Sequence, residues 1–511
     1  MSGDIRVRFA PSPTGPLHMG GIRTALFNYL FAKKNNGIFI LRIEDTDQTR
    51  YVPGAEEYII EALNWCGLFP DEGATIGGPH APYRQSERKE VYQKYTRQLI
   101  DSGNAYYGFD TPEELESLRL EYEKAGKTFS YDASVRMNLK NSLSLSEKET
   151  KTLIESGTPF VIRFKMPEDN EIVMRDIIRE EIKVNTSTLD DKVLVKTDGL
   201  PTYHLANVTD DYLMNISHVI RGEEWLPSLP LHVMLYRAFG WEDKMPAFAH
   251  LPLILKPKGK GKLSKRDGDK MGFPVFPLEW KDPLSGEMSP GYREQGYFPE
   301  AFINMLALLG WNPGTENEIF TLQEMIAEFS LERVGKSGAR FDPEKTKWFN
   351  QQYLRKKSVN ELCRLFLPVL KQKNISAEET HVEKVIETVK ERVSFVHEFW
   401  DEAWFFFTAP EQYDEKTVKK KWNDNSADLL KEVLPVIENE PDYNASRLKE
   451  AISAYIGNKN IGFGQVMLPL RITLVGSTTG PDLFQLMEML GKEETIVRIK
   501  KGIARLETLH G

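Results

Sequence analysis

The first forty residues change from a strand-like to a helix-like hydrophobic pattern and back again. The odd-numbered residues from Ile5 to Phe9 are apolar and alternate with arginines, as in a half-buried strand. From Ile22 apolar residues recur at helical spacing, and a nearly continuous apolar run follows at 38–43, typical of a strand covered on both faces. This order predicts a βαβ unit in which Gly37 ends the helix, and hence a doubly wound parallel sheet.

Further along the chain the pattern changes again. Residues 111–190 are charged and favour helix, beginning with Thr111 and Pro112 as N-cap and first-turn proline, and they predict an inserted domain. Strand patterns return at 193–195 and 216–220, where we expect the parallel sheet to resume. A helix is predicted over 229–239, ending at a glycine.

Amphipathic segments dominate beyond Thr321, among them residues 382–400 and 429–437, and strand-like runs are few. The carboxyl-terminal third is therefore predicted to be mostly α-helical. The expected organisation is an α/β catalytic domain in 1–110 and 191–255, an insert in 111–190, a lysine-loop region in 256–335 and a helical region in 336–511.

Composition excludes several classes of protein. The 511 residues contain two cysteines, Cys66 and Cys363, which cannot build a disulfide framework or a cysteine-rich zinc site. The sequence shows neither a secretory signal nor about 18 consecutive apolar residues, so we expect a cytoplasmic protein with no membrane contact. The net charge of −9 gives no overall attraction to nucleic acid, which must therefore meet a local basic surface.

The first candidate for chemistry is the turn PSPTGPLHMGG, at residues 11–21, between the first strand and helix. It is neither a Walker loop nor GxGxxG, so its phosphate chemistry must be of another kind. Prolines stiffen the turn around Thr14, and Gly20 and Gly21 would let a nucleotide approach the helix N-terminus closely. His18 would then donate a hydrogen bond to a phosphate oxygen. The alternative is that His18 is only a satisfied turn residue.

The second candidate is the segment KPKGKGKLSKRDGDK at residues 256–270, in which seven Lys or Arg residues oppose two Asp residues. A mobile cationic loop of this composition would neutralise a departing pyrophosphate, with Lys262 and Lys265 as the candidates for that role. A solvated loop without function is the alternative.

The two segments together resemble the HIGH and KMSKS signatures of class I aminoacyl-tRNA synthetases. Five further segments, spread from Leu41 to Trp311, are similar to the glutamyl-tRNA synthetase family in particular. They are LRIEDTD, YRQSER, DGLPTYHLANVTDD, VIRGEEW and ALLGW. The resemblance implies a Rossmann-like catalytic domain with a doubly wound parallel sheet and an acceptor-binding insert. It also implies a stem-contact region and a mostly α-helical anticodon-binding region of the bacterial type.

Glutamate presents two carboxylates and one ammonium group, so its pocket needs two cations and one anion. Arg8 and Arg221 lie near the ends of predicted strands, Glu44 follows another strand, and Tyr203 and Asn207 share a helix face. An edge-strand charge at Arg8 and a structural Tyr203–Asn207 pair are the alternatives. The resemblance assigns glutamate binding to Arg8, Ala10, Ser12, Glu44, Tyr203, Asn207 and Arg221, and ATP binding to Thr14, His18, Gly20, Gly21 and Lys265.

The implied reaction is ATP-dependent ligation of L-glutamate to tRNA(Glu) by a monomer, with Mg²⁺ accompanying ATP. His18, Lys262 and Lys265 would act by stabilising charge, because the glutamate carboxylate needs no general base. The alternatives are a glutaminyl-tRNA synthetase, whose anticodon region is a β-barrel, and a non-catalytic tRNA-binding paralogue. We do not favour a metal role for Asp45 and Asp47, which also fit turn capping.

Two segments depart from the family pattern. Some members hold zinc through cysteines in the insert, whereas residues 67–362 contain no cysteine, so we expect no structural zinc and aromatic packing by Tyr106, Tyr107 and Phe129 instead. Residues 273–291 form an extra, proline-rich segment. Its aromatic residues Phe273, Phe276 and Trp280 should pack on the protein surface. Pinned in this way, the segment would restrain the lysine loop, and its excision should change the rate of glutamate activation severalfold.

Overall fold

The polypeptide divides into two units, one ending at Phe349 and the other beginning at Asn350. The structure, a computed structural model, describes residues 4–510. No helix in that span is both long and apolar enough to cross a lipid bilayer.

Strands occur only in the first unit, as far as residues 4–510 show. In chain order they are β1 (Arg6–Phe9), β2 (Ile38–Leu41), β3 (Glu72–Gly73), β4 (Ala105–Gly108), β5 (Val161–Phe164), β6 (Glu171–Asp176), β7 (Glu180–Asn185), β8 (Val193–Val195), β9 (His218–Gly222), β10 (Ala247–Leu251), β11 (Ile254–Leu255), β12 (Trp280–Lys281), β13 (Met288–Ser289) and β14 (Ala339–Arg340).

Helices occur in both units, joined in places by short 3-10 turns. The first unit contains α1 (Met19–Lys34), α2 (Ala55–Trp65), α3 (Lys89–Asp101), α4 (Pro112–Lys124), α5 (Glu147–Glu155), α6 (Tyr203–Leu213), α7 (Leu229–Phe239), α8 (Lys265–Met271), α9 (Pro299–Leu308) and α10 (Leu322–Glu328). Next come α11 (Pro343–Lys356), which contains the division between the units, α12 (Val359–Gln372), α13 (Glu379–Val389), α14 (Glu398–Ala403), α15 (Glu415–Lys421), α16 (Ser426–Glu438), α17 (Ala445–Lys459), α18 (Phe463–Val475), α19 (Leu483–Leu490) and α20 (Lys492–His510).

Parallel pairing organises the first unit and confirms the predicted α/β class. β1 pairs with β2 in the register Arg6↔Ile38, and β2 pairs with β3. β9, β10 and β6 form a second parallel set. The backbone N–H of Ser217, just before β9, donates to Arg6 O at 2.9 Å and joins the two sets. The carboxyl ends of β1 and β9 therefore lie at one edge, where doubly wound sheets bind ligands.

The βαβ prediction is confirmed, but its glycine has another role. α1 ends at Lys34, and the left-handed conformation falls on Asn36, with φ 51°. Gly37 instead lies so close to β1 that an added Cβ would be 2.3 Å from Ile5 O. The glycine is required by this close approach of two chain segments rather than by the end of the helix.

The return of the parallel sheet was predicted too early in the chain. β8, at Val193–Val195, is a strand, but it pairs antiparallel with β5 in the sheet β4–β5–β8. A short apolar run fixes strand character without fixing the partner strand, and β5 offers Ile162 and Phe164 to the same core as Leu194. The parallel sheet resumes at β9, and β6 and β7, from within residues 111–190, extend it.

A buried polar cluster lies near the sheet β4–β5–β8. Asp191, fully buried, accepts hydrogen bonds from Tyr106 Oη at 2.6 Å and from Met166 N at 2.9 Å, and Arg136 Nη1 lies 3.3 Å from its carboxylate. Tyr106 also packs with Tyr131 and Phe129, whereas Tyr107 packs against Phe109 and Phe160, so the predicted aromatic residues pack in two groups instead of one. The buried charge of Asp191 is thus matched by an arginine and by neutral donors.

The second unit is helical throughout its described residues, as predicted, and the helix at 429–437 is confirmed within α16. The single segment predicted at 382–400 is wrong, because it contains two helices, α13 and α14. The break comes where Val393 is buried and the Glu398 carboxylate accepts from the backbone N–H groups of Ser394 and Phe395, at 2.6 and 3.1 Å. That carboxylate starts a new helix instead of continuing the first.

Replacing Asp191 by Ala should destabilise the region around the sheet β4–β5–β8 by about 3 to 5 kcal/mol, because Arg136 and Tyr106 lose a buried acceptor. The matched control is Asp190→Ala, which removes a largely exposed pair with Lys192 and should cost less than about 1 kcal/mol. Native-state hydrogen exchange of the amides of β4 and β5 measures both. Equal loss of protection in the two variants would contradict this account.

Candidate active site

A cleft of about 740 Å³ opens at the carboxyl edge of β1 and β9. It is lined by twelve of the thirteen residues predicted for the site: Arg8, Ala10, Ser12, Thr14, His18, Gly20, Gly21, Glu44, Tyr203, Asn207, Arg221 and Lys262. Lys265 is not among the lining residues. A separate cavity of about 670 Å³, bordered by β6 and α7, contains none of the thirteen.

His18 is the N-cap of α1, and its surroundings fix its protonation. Its Nδ1 accepts from the backbone N–H of Gly20 at 3.2 Å. Burial and the nearby charge of Lys262 lower the pKa of His18 from its usual 6.5 to about 4. The neutral ring therefore carries its proton on Nε2, an atom that is buried and has no partner among residues 4–510. This geometry leaves one N–H donor for a ligand.

The two glycines of the turn differ in what they allow. A Cβ at Gly21 would lie 2.4 Å from Leu17 Cδ1, so packing within the turn excludes a side chain there. A Cβ at Gly20 would come no closer than 3.7 Å to the His18 ring. Gly20 therefore leaves space at the helix N-terminus, as the nucleotide prediction needs, whereas Gly21 satisfies packing.

Glu44, at the end of β2, forms the acidic side of the cleft. Its Oε1 accepts from Arg42 Nη2 and Asn207 Nδ2, both at 3.2 Å. Burial raises the pKa of this carboxyl, and the positive charges of Arg42 and Arg8 oppose that rise. Tyr203 and Asn207 lie on α6, which confirms their predicted i, i+4 arrangement on one helix.

The two arginines predicted for the glutamate pocket have different partners. Arg8 is already paired with a carboxylate, because its Nε and Nη2 donate to Asp211 at 2.9 and 3.3 Å. Arg221 donates only to neutral acceptors in the described part of the chain. These are His250 Nε2 at 3.0 Å, Tyr203 Oη at 2.7 Å, His232 Nδ1 at 3.4 Å and Trp225 O at 3.4 Å. Of these two arginines, Arg221 is the one that hydrogen-bonds no carboxylate within residues 4–510, so its charge is left for an anionic ligand.

The lysine loop is anchored at its centre by buried Leu263, whose N–H donates to Ile254 O at 2.8 Å. Lys262 Nζ reaches the cleft and donates to Glu224 at 2.9 Å. Lys265 begins α8 and its Nζ donates to Glu287 at 3.1 Å, outside the cleft lining. Both lysines are therefore held by exposed carboxylates in this conformation.

The extra segment 273–291 is packed, as predicted. Phe273, Phe276 and Trp280 are buried. Val275 O accepts from the N–H of Met19, the first residue of α1, at 2.8 Å, and Phe276 stands edge-on to the His18 ring at 6.1 Å between centroids. The segment thus supports the N-terminus of α1 and, through Glu287, contacts the lysine loop.

Several residues around the cleft escaped sequence reasoning. Asp211 and Trp225 lie within the resembling segments and His250 lies outside them, but nothing in their local pattern shows that they meet Arg8 or Arg221. These contacts can be recognised only in the folded protein, because each of them joins residues from different elements. Asp45 and Asp47, by contrast, hold turns, with Asp45 accepting from Ser86 N at 2.8 Å and Asp47 from Thr49 and Arg50. Residues 4–510 contain no group of three or more His, Cys, Asp or Glu arranged to hold a metal.

This parallel sheet, histidine-capped helix and lysine loop together define a class I aminoacyl-tRNA synthetase. Residues 4–348 match the model of the tRNA synthetases class I (E and Q) catalytic domain, and residues 361–503 match that of an anticodon binding domain. The chain belongs to the glutamate–tRNA ligase family of these synthetases.

The relatives agree over their whole length. The glutamate–tRNA ligase of Christiangramia forsetii is 57% identical over 507 residues, 99% of this chain and 100% of that protein. The enzyme of the same name from Bacteroides fragilis is 55% identical, over 98% and 99% of the two chains. A crystal structure of a glutamate tRNA ligase from Elizabethkingia meningosepticum in complex with its amino acid superposes with a TM-score of 0.96 at 57% identity, covering 99% of this chain and 100% of that one.

The His18 ring should stay neutral well below its usual titration range, because burial is the larger cause of its lowered pKa. In Lys262→Ala the pKa should rise above about 4 but remain below 6.5, since only the smaller cause is removed. The unfolded chain binds a proton at His18 more readily than the folded protein does. The contribution of the neutral His18 ring to folding stability is therefore lost as the pH falls from about 6.5 towards 4. Ring carbon chemical shifts followed against pH measure both values, and a wild-type pKa near 6.5 would refute the assignment.

Proposed function

We propose that this enzyme ligates L-glutamate to tRNA(Glu) in two steps. In the first, the α-carboxylate oxygen of glutamate bonds to the α-phosphorus of ATP, and the bond to the bridging oxygen breaks to release pyrophosphate. In the second, a hydroxyl of the 3′-terminal ribose of tRNA attacks the carbonyl carbon and AMP leaves. The observation that carries the proposal is the cleft itself, where Arg8, Arg221 and Glu44 meet the turn of His18.

The charges in the cleft suit glutamate. The guanidinium of Arg221 has neutral partners and would bind one carboxylate, while Arg8, already shared with Asp211, would contribute to a second. Glu44 supplies the anion for the substrate ammonium group. Ala10, directly after β1, and Ser12, in the turn, also line the cleft.

The nucleotide chemistry is electrostatic. ATP enters with Mg²⁺ as the substrate complex, and Thr14 and Gly20 lie beside the path to the N-terminus of α1. His18 would donate Nε2–H, and Lys262 would place a positive charge at the departing pyrophosphate. Lys265 joins them once its exposed ion pair with Glu287 opens, which costs little because such pairs contribute about 0 to 1 kcal/mol.

The second unit supports recognition of tRNA. Its residues 361–503 match an anticodon binding domain and are helical, which disfavours the glutaminyl enzyme with its β-barrel. We propose the stem-contact role for residues 256–335 and acceptor binding for 111–190. We propose that the enzyme acts as a monomer, because a single chain brings twelve of the predicted site residues together.

The proposed function is tested by charging tRNA(Glu) with labelled glutamate in the presence of ATP. We expect pyrophosphate release and glutamyl-tRNA with glutamate, and neither product with glutamine. Parallel reactions with tRNA(Gln) determine the range of tRNA substrates. Charging with glutamine alone would establish the glutaminyl alternative, and tRNA binding without pyrophosphate release would establish a non-catalytic paralogue.

Arg221→Ala should lower kcat/KM for glutamate by a factor that corresponds to a loss of about 2 to 5 kcal/mol in transition-state stabilisation. The reason is that a buried cation that meets a substrate carboxylate is removed. The KM for ATP should change by less than about threefold. Arg237→Ala, on the outer side of α7, removes an exposed arginine paired with Glu242 and serves as the matched control. Changes confined to ATP or tRNA kinetics would show that the pocket is drawn wrongly.

Lys265→Ala and His18→Ala should each lower kcat about a hundredfold, because the donors they remove act mainly in the transition state. Glu287→Ala removes only the partner of Lys265 in this conformation and should leave kcat within about threefold of wild type or raise it. Excision of residues 273–291 would also remove buried contacts. Glu287→Ala is therefore the cleaner test of whether this segment restrains the lysine loop. Lys258→Ala, in the same loop, is the control. Single-turnover glutamate activation with tRNA bound measures all four, and wild-type rates for Lys265→Ala would rule out its role.

A further inference from the structure

Arg221 is surrounded by imidazoles whose hydrogen atoms can be placed from geometry. Arg221 can only donate, so His250 Nε2, 3.0 Å from Arg221 Nε, must be an unprotonated acceptor. His250 Nδ1 lies 2.6 Å from Asp176 Oδ2 and must carry the proton. His250 is therefore neutral, in the Nδ1–H form.

Asp176 is held rigidly at the end of β6. Its Oδ1 accepts from the backbone N–H groups of Ile178 and Arg179, at 2.9 and 2.8 Å, and its Oδ2 accepts from the N–H of His250 at 3.1 Å. Burial raises the pKa of this carboxyl, but the hydrogen bonds from His250 and the backbone outweigh burial and keep the pKa low. Asp176 thus remains an acceptor that fixes the tautomer of His250.

A second imidazole, that of His232, contacts a different nitrogen of Arg221. His232 Nδ1, 3.4 Å from Arg221 Nη1, accepts, so His232 carries its proton on Nε2 and donates to His204 Nδ1 at 3.2 Å. Burial and the charge of Arg221 hold the pKa of His232 far below its usual range. The two imidazoles that contact Arg221, those of His232 and His250, are therefore neutral, and each presents an acceptor to the guanidinium.

We propose that Asp176 and His250 are positioning residues for glutamate recognition: Asp176 fixes the tautomer of His250, and His250 orients Arg221 without neutralising it. A carboxylate in direct contact would orient Arg221 equally well but would compete with the substrate, as Asp211 does at Arg8. The His250 imidazole supplies an acceptor to Arg221 and separates the Asp176 carboxylate from the guanidinium. This inference rests on the proposed function of the cleft.

Two amide substitutions at His250 separate positioning from packing. The oxygen of His250→Gln reaches the place of Nε2 and can accept from Arg221, whereas His250→Asn reaches only the place of Nδ1 and cannot. We expect His250→Asn to raise KM for glutamate about tenfold or more, and His250→Gln to stay within about threefold of wild type. For both variants, kcat and the KM values for ATP and tRNA should change by less than about threefold.

Asp176→Asn adds an isosteric test, because an amide NH₂ can turn towards His250 and stabilise the other tautomer, which points N–H at Arg221. We expect the glutamate KM of this variant to rise about as much as that of His250→Asn. Nitrogen shifts of ¹⁵N-histidine protein, with His250 assigned from the spectrum of His250→Gln, should show the Nδ1–H form in wild type and its loss in Asp176→Asn.

The outcomes are distinct. Equal effects of Gln and Asn at position 250, or parallel changes in the KM values for glutamate, ATP and tRNA, would show that His250 only packs, and would overturn the inference. An Nε2–H tautomer in the wild type would overturn it as well. Failure of the wild-type enzyme to charge tRNA with glutamate would instead reject the proposed function, while the tautomer measurement would still decide the geometry.

Discussion

A buried ion cluster beneath the cleft holds the site together. Arg42, completely buried after β2, donates to Asp211 at 2.8 Å and to Glu44 at 3.2 Å, and its Nε lies 3.9 Å from Asp210. Burial alone would lower the pKa of Arg42, but these three carboxylates raise it. Arg8 completes the cluster through Asp211. Loss of one member of a buried ion pair typically costs about 3 to 5 kcal/mol, so β1, β2 and α6 are fixed relative to one another.

This cluster explains why Arg8 and Arg221 differ. Arg8 lies inside it and shares its charge with Asp211, so it is held as much by the fold as by any ligand. Arg221 lies outside it, on β9, and its acceptors within residues 4–510 are imidazole, phenol and carbonyl groups. The cleft therefore combines a structural cation with one that a substrate carboxylate can neutralise, and Glu44 belongs to both the cluster and the binding surface.

The side of the cleft that we propose for the nucleotide depends on weaker contacts. His18 is placed by the start of α1 and by Phe276 from the extra segment, whereas Lys262 and Lys265 are held by exposed pairs with Glu224 and Glu287. Such pairs exchange easily for phosphate oxygens, because solvent screens them. A rigid ion cluster on the proposed amino-acid side and an adaptable lysine loop thus adjoin in one cleft.

The sequence by itself determined the βαβ start, the helical second unit and twelve of the residues that line the cleft, because these depend on local periodicity or on contiguous motifs. It could not place β8, split residues 382–400 into two helices or explain Gly37, since strand partners, helix breaks and close approaches depend on distant chain segments. Asp211 and His250 became visible only when β1, α6, β9 and β10 came together. Only the tertiary structure decides which buried charges are paired and which remain for a substrate, because pairing depends on distances between residues far apart in the chain.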